Sequence, residues 1–168
     1  MKNTIKSVLI ALLISSTFNV NAQKLGHVNS QAIVQEMPDY ESARQELESY
    51  KNDLAKELEM YQKLIMEFAQ AYEQQKAEMS QDSRQRKEAD LMERQQNYEK
   101  KAYEAEQKLQ QKEQELLQAI MIKVNTAVKE LAKADGYSYI FELTSLLHAG
   151  GDDISDKVRK KLGISTSN

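Results

Sequence analysis

The sequence has 168 residues, 23 of them basic and 26 acidic, so the formal net charge at neutral pH is −3. This balance, with an isoelectric point near 5.6, excludes a protein that binds nucleic acid through a strongly basic surface. The sequence contains no cysteine and no tryptophan, and aromatic residues make up only 7% of it. A disulfide framework and a cysteine-linked lipid anchor are therefore excluded, and few large side chains are available for a core.

The first 22 residues have the features of a secretory signal peptide. Lys2 and Lys6 give a positive start, the run VLIALLISSTF is apolar, and the stretch VNA places small residues at the cleavage positions. The run is shorter than the roughly 20 apolar residues of a membrane-spanning helix, and a retained N-terminal anchor is the alternative. We expect the mature chain to begin near Gln23, with 21 basic and 26 acidic residues and a net charge of −5.

Residues 23–38 predict a short strand followed by a short helix. The strand corresponds to KLGHVNS, and Ser30 is placed to cap a helix formed by QAIVQEM. Pro38, the only proline of the chain, ends this segment.

Residues 39–135 predict long helices, because they contain neither glycine nor proline and are rich in Ala, Glu, Gln, Lys, Leu and Arg. Apolar residues recur at steps of three and four, about 3.5 on average, which is the spacing of a supercoiling seam. The first apolar series consists of Tyr40, Ala43, Leu47, Tyr50, Leu54, Leu58, Tyr61, Ile65, Phe68 and Tyr72. The second consists of Leu91, Tyr98, Ala102, Ala105, Leu109, Leu116, Ile120, Val124, Ala127 and Leu131.

The apolar pattern lapses between the two series, at residues 78–87. Ser80, Asp82 and Ser83 in this stretch can accept hydrogen bonds from the free amides at the start of a helix. A single rod would extend roughly 145 Å, whereas folding back at the lapse gives two antiparallel helices of roughly 65 to 75 Å. We favour the antiparallel helical hairpin, called the arm below, with its tip near residues 78–87.

Residues 136–168 predict a second strand, a turn and a small helix. YSYIFELT alternates apolar and polar residues, and Gly150 and Gly151 supply the positive-φ positions of a turn into a brief strand near Asp153. Ser155 is placed to cap DKVRKKL, whose basic last turn suits the helix dipole, and Gly163 ends this helix.

The segments 23–38 and 136–168 predict a small β-rich body that joins the two ends of the arm. Together they are close to the size of about 40 residues below which a domain usually needs disulfides, a metal or oligomerisation. With no cysteine and no metal motif, oligomerisation is what remains. The side chains expected to build this shared body are Leu25, Val28, Tyr137, Tyr139, Phe141 and Leu143.

No catalytic, cofactor-binding or metal site is predicted. The two histidines, His27 and His148, are far apart in sequence and have no cysteine beside them. The many carboxylates have the spacing of solvated helix faces. Gly150 and Gly151 are not followed by the Lys and Ser or Thr of a phosphate-binding loop. The sequence therefore indicates a binding protein rather than an enzyme.

The outer part of the arm predicts a binding surface. Met66 and Met92 lie there among glutamines, glutamates and lysines, and such adaptable side chains suit varied partners, although an imperfect coiled coil would look similar. The start of the second helix is comparatively basic. The predicted binding residues are Tyr61, Phe68, Tyr72, Met79 and Tyr98. The predicted basic tip residues are Lys76, Arg84, Arg86, Lys87 and Arg94.

Three stretches carry a resemblance to a known family: KLGHVNSQAIVQEMPDY after the signal peptide, AVKELAKADGYSYIFE after the arm, and LLHAGGDDISDKVRKKLG at the end. With the glycine-free hairpin between them, the chain resembles the Skp/OmpH periplasmic chaperones of Gram-negative bacteria. The resemblance covers essentially all of the mature chain. The terminal stretches are fairly specific, while the hairpin matches in length and style.

The resemblance implies a periplasmic homotrimer in which an intersubunit β-barrel body carries three helical hairpins that enclose a cavity. It implies that the cavity holds unfolded outer-membrane proteins without ATP. Some members of the family have been linked to lipopolysaccharide through basic tip residues, so a weak membrane or lipopolysaccharide contact at the tips is a further expectation. The best-known members are strongly basic, whereas this chain is acidic, which argues against capture of clients by bulk charge.

Two other classes of function fit parts of the sequence. A coiled-coil adaptor that docks onto another envelope component would also contain a helical hairpin, but such adaptors usually carry larger β-domains. A lectin-like or lipid-binding envelope protein would need an aromatic platform, and none is visible in the sequence. Neither alternative accounts for the paired terminal stretches.

Overall fold

The computed structural model describes residues 23–164, so the predicted signal peptide lies outside the described residues. The chain is mostly helical, with one small sheet. A 3₁₀ turn at Leu143–Ser145 follows the second strand. The elements in chain order are β1 Leu25–Val28, α1 Ser30–Glu36, α2 Pro38–Gln75, α3 Gln81–Asp135, β2 Tyr139–Glu142, β3 Asp152–Asp153 and α4 Ser155–Lys161.

The two long helices, α2 and α3, lie side by side. Glu46 of α2 contacts Lys112 of α3, with 2.6 Å between Oε1 and Nζ. Farther along α2, the Tyr72 hydroxyl donates a hydrogen bond to Glu88 of α3 at 2.5 Å. Residues later in α2 thus contact residues earlier in α3, as in two helices that run in opposite directions. At 1.5 Å per residue α2 is about 57 Å long and α3 about 82 Å long.

The predicted apolar seam is confirmed. Every position of both series is buried or half-buried, whereas most positions between them are exposed. A repeat of about 3.5 residues keeps one stripe of each helix facing its neighbour, which is why this short list of side chains suffices to hold two long helices together.

The connection between the long helices is short. It spans residues 76–80, and the Ser80 hydroxyl caps α3 by accepting a hydrogen bond from the Ser83 amide at 3.3 Å. Residues 81–87, where the apolar pattern lapses, belong to the first turns of α3. At its other end α3 stops at Gly136, whose φ of 74° lies in the left-handed region that glycine adopts without strain.

The sheet has strand order β2-β1-β3, and both pairs are parallel. Leu25 pairs with Tyr139 and His27 with Phe141 on one side of β1, while His27 also pairs with Asp153 on the other. The three predicted strands are present. The predicted barrel, however, is not closed within one chain, because three short strands leave both outer edges of the sheet unpaired among the described residues.

One face of the sheet is covered by α1, α3 and α4, and the core lies there. Ile33, Val124, Ile154 and Val158 are completely buried, and Ile120, Tyr137 and Met37 are nearly so. Burying an aliphatic side chain of this size stabilises the folded state by about 1.5 to 3 kcal/mol. The core thus joins both ends of the chain to the last turns of α3.

Two predicted helix caps are wrong. Asn29, not Ser30, caps α1, since its Oδ1 accepts from the Ala32 amide at 3.0 Å. Ser30 is instead the first helical residue, and its amide and hydroxyl both donate to the Glu142 carboxylate. Ser155 begins α4 without capping it, because its Oγ accepts from the Asn29 amide at 3.1 Å. Both serines therefore join the first segment of the chain to the last.

The predicted alternation of the second strand is only partly right. Tyr137 was expected on one face with Tyr139 and Phe141, but β2 begins only at Tyr139. Tyr137 is buried in the core beside Gly26, and its hydroxyl donates to the Asp152 carboxylate at 2.8 Å. Tyr139 and Phe141 are 55% and 44% exposed.

The turn before β3 gives a matched pair of substitutions. Gly151 has a φ of 90°, and a Cβ there would lie 2.6 Å from the Leu25 carbonyl oxygen, whereas a Cβ at Gly150 would meet nothing within 4 Å. We expect Gly151→Ala to lower the free energy of unfolding by about 1 to 3 kcal/mol, and Gly150→Ala to change it little. Urea unfolding of both variants tests this. An equal loss of stability in the two variants would contradict the close approach of residue 151 to the Leu25 carbonyl oxygen.

Candidate functional site: the surface of the arm

The arm, α2 and α3 with their connection, contains all the predicted binding residues. Four of these side chains are not free on the surface, because they lie in the seam between the two helices, while Met79 lies in the connection. Tyr72 is only 4% exposed, and Tyr61, Phe68, Met79 and Tyr98 are half-buried. Their role in binding stays a prediction, while the structure gives them a part in holding α2 against α3.

Three of the predicted basic tip residues contact these aromatic rings. Lys87 Nζ and the Arg94 guanidinium lie 4.5 and 4.4 Å from the centre of the Phe68 ring. Lys76 Nζ lies 5.2 Å from the centre of the Tyr72 ring. Each such cation–π contact contributes about 0.5 to 1 kcal/mol at an exposed site. Arg84 and Arg86, by contrast, are exposed at the start of α3.

The seam changes character along the arm. Near the body it is mainly aliphatic, with Leu47, Leu116 and Ile120 among its members. Farther out it pairs aromatic rings with cations, as in the contact of Lys101 Nζ with the Tyr61 ring at 4.6 Å. A hydrogen bond with Tyr61 raises the pKa of Lys101. The outer seam therefore depends more on polar contacts and less on apolar burial than the inner seam does.

Tyr72 and Glu88 form the outermost contact of the seam. The hydrogen bond that the phenol donates to the Glu88 carboxylate raises the pKa of Tyr72 to about 12, with smaller contributions from burial and from the charge of Glu88. The phenol thus stays protonated at neutral pH, and its hydrogen bond joins α2 to α3 near their connection.

Large apolar side chains are exposed on the arm outside the seam. Met92 and Tyr103 of α3 are 65% and 64% exposed, and they are eleven residues apart, which places them on one face of the helix three turns apart. Met60, Leu64 and Met66 of α2 are all more than half exposed. The predicted binding residues do not include Met60, Leu64 and Tyr103, because these three residues lie between the positions of the apolar repeat. An apolar residue outside the repeat is the signal that could have identified them.

Two grooves run beside the seam near the body. The first has a volume of about 520 Å³ and is lined by charged side chains such as Arg44 and Glu113 around Leu47 and Leu109. The second, of about 530 Å³, contains Ile122, Lys123 and Lys161. Both are open and of mixed polarity, so neither has the enclosed apolar lining of a small-molecule pocket.

The predicted body residues divide into two sets. Val28 and Tyr137 are buried in the core of their own chain, at 4% and 8% exposure. Leu25, Tyr139 and Phe141 lie partly exposed on the sheet, and the rings of Tyr139 and Phe141 stack with centres 6.2 Å apart. Leu143 is half-buried in the turn after β2. One surface of the sheet thus presents apolar groups that the described chain does not cover.

The two histidines have no neighbouring side chains that suggest a catalytic or metal-binding site. His27 is buried, its Nε2 lies 3.9 Å from Asp153 Oδ2, and its Nδ1 has no hydrogen-bond partner. His148 is exposed in the loop after β2. Within residues 23–164 no group of three or more His, Asp or Glu side chains could hold a metal ion. No helix in the same range is long and apolar enough to cross a membrane.

Comparison with known proteins identifies the family. The model of the OmpH family, described as outer membrane protein (OmpH-like), matches residues 24–162, which include the whole arm and most of both body segments. The chain belongs to the OmpH-like family. An OmpH-like protein of Caulobacter crescentus CB15, named as a candidate outer membrane chaperone, has the same fold, with a TM-score of 0.71 and 18% sequence identity over 88% of each chain. No curated protein matches the sequence.

The outermost contact of this OmpH-like arm can be tested by titration. Because the folded-state pKa of Tyr72 lies above the ordinary value of 10, the stability that its hydrogen bond contributes is fully present below pH 10 and is lost as the pH rises through about 12. We expect tyrosinate absorbance to show one of the eight tyrosines titrating near pH 12. Tyr72→Phe should remove this late step, and Glu88→Gln should move it toward 10. If a titration step near pH 12 remains in the Tyr72→Phe variant, another tyrosine produces it and the assignment to Tyr72 is wrong.

Proposed function

We propose that this OmpH-like protein is a periplasmic holdase chaperone, which binds unfolded outer-membrane β-barrel proteins without ATP and prevents their aggregation. The observation that carries the proposal is the exposed apolar surface of the arm, in a chain that belongs to the OmpH-like family. Exposed residues such as Leu64 and Tyr103 are separated by charged and amide side chains, so each contact with an unfolded chain is small.

Many small contacts suit a chaperone that must release its client. Linked weak contacts give a high combined affinity by multivalency, while each one breaks quickly. Release then needs no nucleotide, because a β-barrel that folds into its membrane is withdrawn from the unfolded pool. Methionine is well suited to such a surface, because its unbranched, polarisable side chain adapts to many shapes.

The proposed assembly is a homotrimer in which the arms surround the client. Both edges of the small sheet are unpaired within residues 23–164, and Leu25, Tyr139 and Phe141 are partly exposed on it. Strands from neighbouring chains would pair with the open edges and close an intersubunit barrel around these side chains. The body segments are small for an independent domain, which also favours assembly.

Charge has a secondary part in the proposal. The mature chain is acidic overall, so bulk attraction does not draw acidic clients to it. Arg84 and Arg86 are exposed near the end of the arm, where they can accelerate encounter and make a weak contact with lipopolysaccharide or a membrane surface. Lys76, Lys87 and Arg94 contact aromatic rings of the seam and are less available for this role.

The proposed assembly predicts the effect of a charge on the sheet. Phe141→Asp should reduce the mass measured by light scattering from that of an oligomer to that of one chain, because an unpaired carboxylate would be enclosed between subunits. Gln31→Asp is a matched control, since it adds one acidic residue at an exposed position of the body. A wild-type protein that is a stable folded monomer at micromolar concentration would contradict the assembly.

The exposed arm surface predicts a loss of holding activity without a loss of stability. We expect the double variant Leu64→Ser and Tyr103→Ser to suppress the aggregation of a urea-diluted outer-membrane β-barrel protein less well than the wild type. Its thermal unfolding should be nearly unchanged, because both side chains are more than half exposed. Gln96→Ser with Gln110→Ser is the matched control at exposed polar positions of α3. If both double variants protect the client equally, the apolar surface is not the binding element.

A further inference from the structure

Three methionines are exposed on the outer half of the arm. Met60, Met66 and Met92 are 59%, 58% and 65% exposed. The described chain therefore leaves more than half of each of these side chains open to solvent. They account for three of the five apolar side chains that are more than half exposed on this part of the arm.

Met66 and Met92 lie at nearly one level of the arm. The contact of Glu57 with Lys101 and that of Tyr72 with Glu88 fix how the two helices line up. Met66 lies six residues before Tyr72 and Met92 four residues after Glu88, so they differ by about 3 Å along the arm axis. Met60 lies about 9 Å closer to the body.

The remaining described methionines are better protected. Met37 is 4% exposed in the core, and Met79 and Met121 are half-buried. The chain has no cysteine, so methionine is its oxidisable sulfur residue. Exposure thus divides the described methionines into three that are more than half exposed and three that an oxidant reaches less easily.

We propose that Met60, Met66 and Met92 are a reversible oxidation site that controls how strongly the arm holds its client. The oxidant is a peroxide or a hypohalous acid. With hydrogen peroxide, one oxygen atom passes to Sδ, the thioether loses two electrons to become a sulfoxide, and the peroxide leaves as water. Methionine sulfoxide reductases reverse the step with electrons from a thiol reductant.

The consequence follows from the change in polarity. A sulfoxide is polar and a strong hydrogen-bond acceptor, so it no longer favours contact with apolar segments of an unfolded protein. Because the three side chains are exposed and lie outside the seam, their oxidation leaves the packing of α2 against α3 intact. Oxidation therefore weakens holding without unfolding the protein. This inference rests on the holdase function proposed above.

The experiment compares the wild type with the triple variant Met60→Leu, Met66→Leu and Met92→Leu, which keeps three apolar groups that peroxide does not modify. Both full-length mature proteins are treated with hydrogen peroxide, and sulfoxide is measured at each methionine by peptide mass spectrometry. Suppression of aggregation of a urea-diluted outer-membrane β-barrel protein and thermal unfolding are then measured. A third wild-type sample is oxidised and then treated with methionine sulfoxide reductases.

We expect Met60, Met66 and Met92 to oxidise before Met37 and Met121. Oxidised wild type should need about tenfold more protein for the same protection, with unchanged thermal unfolding and recovery after reduction. The treated leucine variant should protect as well as the untreated one. The inference would be overturned if oxidation reduced protection of the client equally in both proteins, or if full oxidation of the three methionines left protection unchanged. It would also be overturned if protection fell because the protein unfolded.

The outcomes also separate this inference from the proposed function. If neither untreated protein suppresses aggregation, the holdase function fails and control of it fails as well. If the untreated proteins protect the client and oxidation has no effect, the holdase function stands and only the oxidation site is rejected.

Discussion

The parallel hydrogen bonds of β1 with β2 and β3 connect segments that are more than a hundred residues apart, and the arm depends on them. The Ser138 amide donates to the Lys24 carbonyl at 2.8 Å, and the Ile154 amide donates to the His27 carbonyl at 2.9 Å. Because α1 and α2 follow directly after β1, and α3 ends just before β2, this small sheet fixes the base of both long helices. Lys24 reinforces the same point, since its Nζ donates to the Asp135 carbonyl at the end of α3.

The contacts between α2 and α3 change in character with distance from that base. Aliphatic packing continuous with the core, at Ile120 and Val124, gives way to contacts such as that of Phe68 with two cations. Contacts between exposed charges and rings contribute little each and exclude little water. The inner arm is therefore an extension of the body, while the outer arm is joined mainly through rings, cations and hydrogen bonds. Contacts of this kind suit the proposed binding of partners of many shapes.

The helical repeat is a long-range signal in sequence, and for that reason it predicted the seam residues well. The roles of Ser30 and Ser155 depended on contacts with Glu142 and Asn29, which lie more than a hundred residues away in the chain and in no local pattern. The predicted binding aromatics were correctly placed on one stripe, but that stripe faces the partner helix because it is the most apolar one. The phase of the repeat correctly separated Tyr61, a seam residue, from Tyr103, which is exposed. The buried position of Tyr137 depended on the absence of a side chain at Gly26.

The direction of the strands has a geometric consequence for any assembly built from this sheet. Both neighbours of β1 run parallel to it, so the two open edges, of β2 and of β3, have the same polarity but differ in sequence and length. Two copies that joined like edges about a two-fold axis would have to pair their strands antiparallel. Joining unlike edges keeps the strands parallel and relates successive copies by rotation about one axis, so that a closed ring has two different ends. In such a ring every helical arm leaves on the same side.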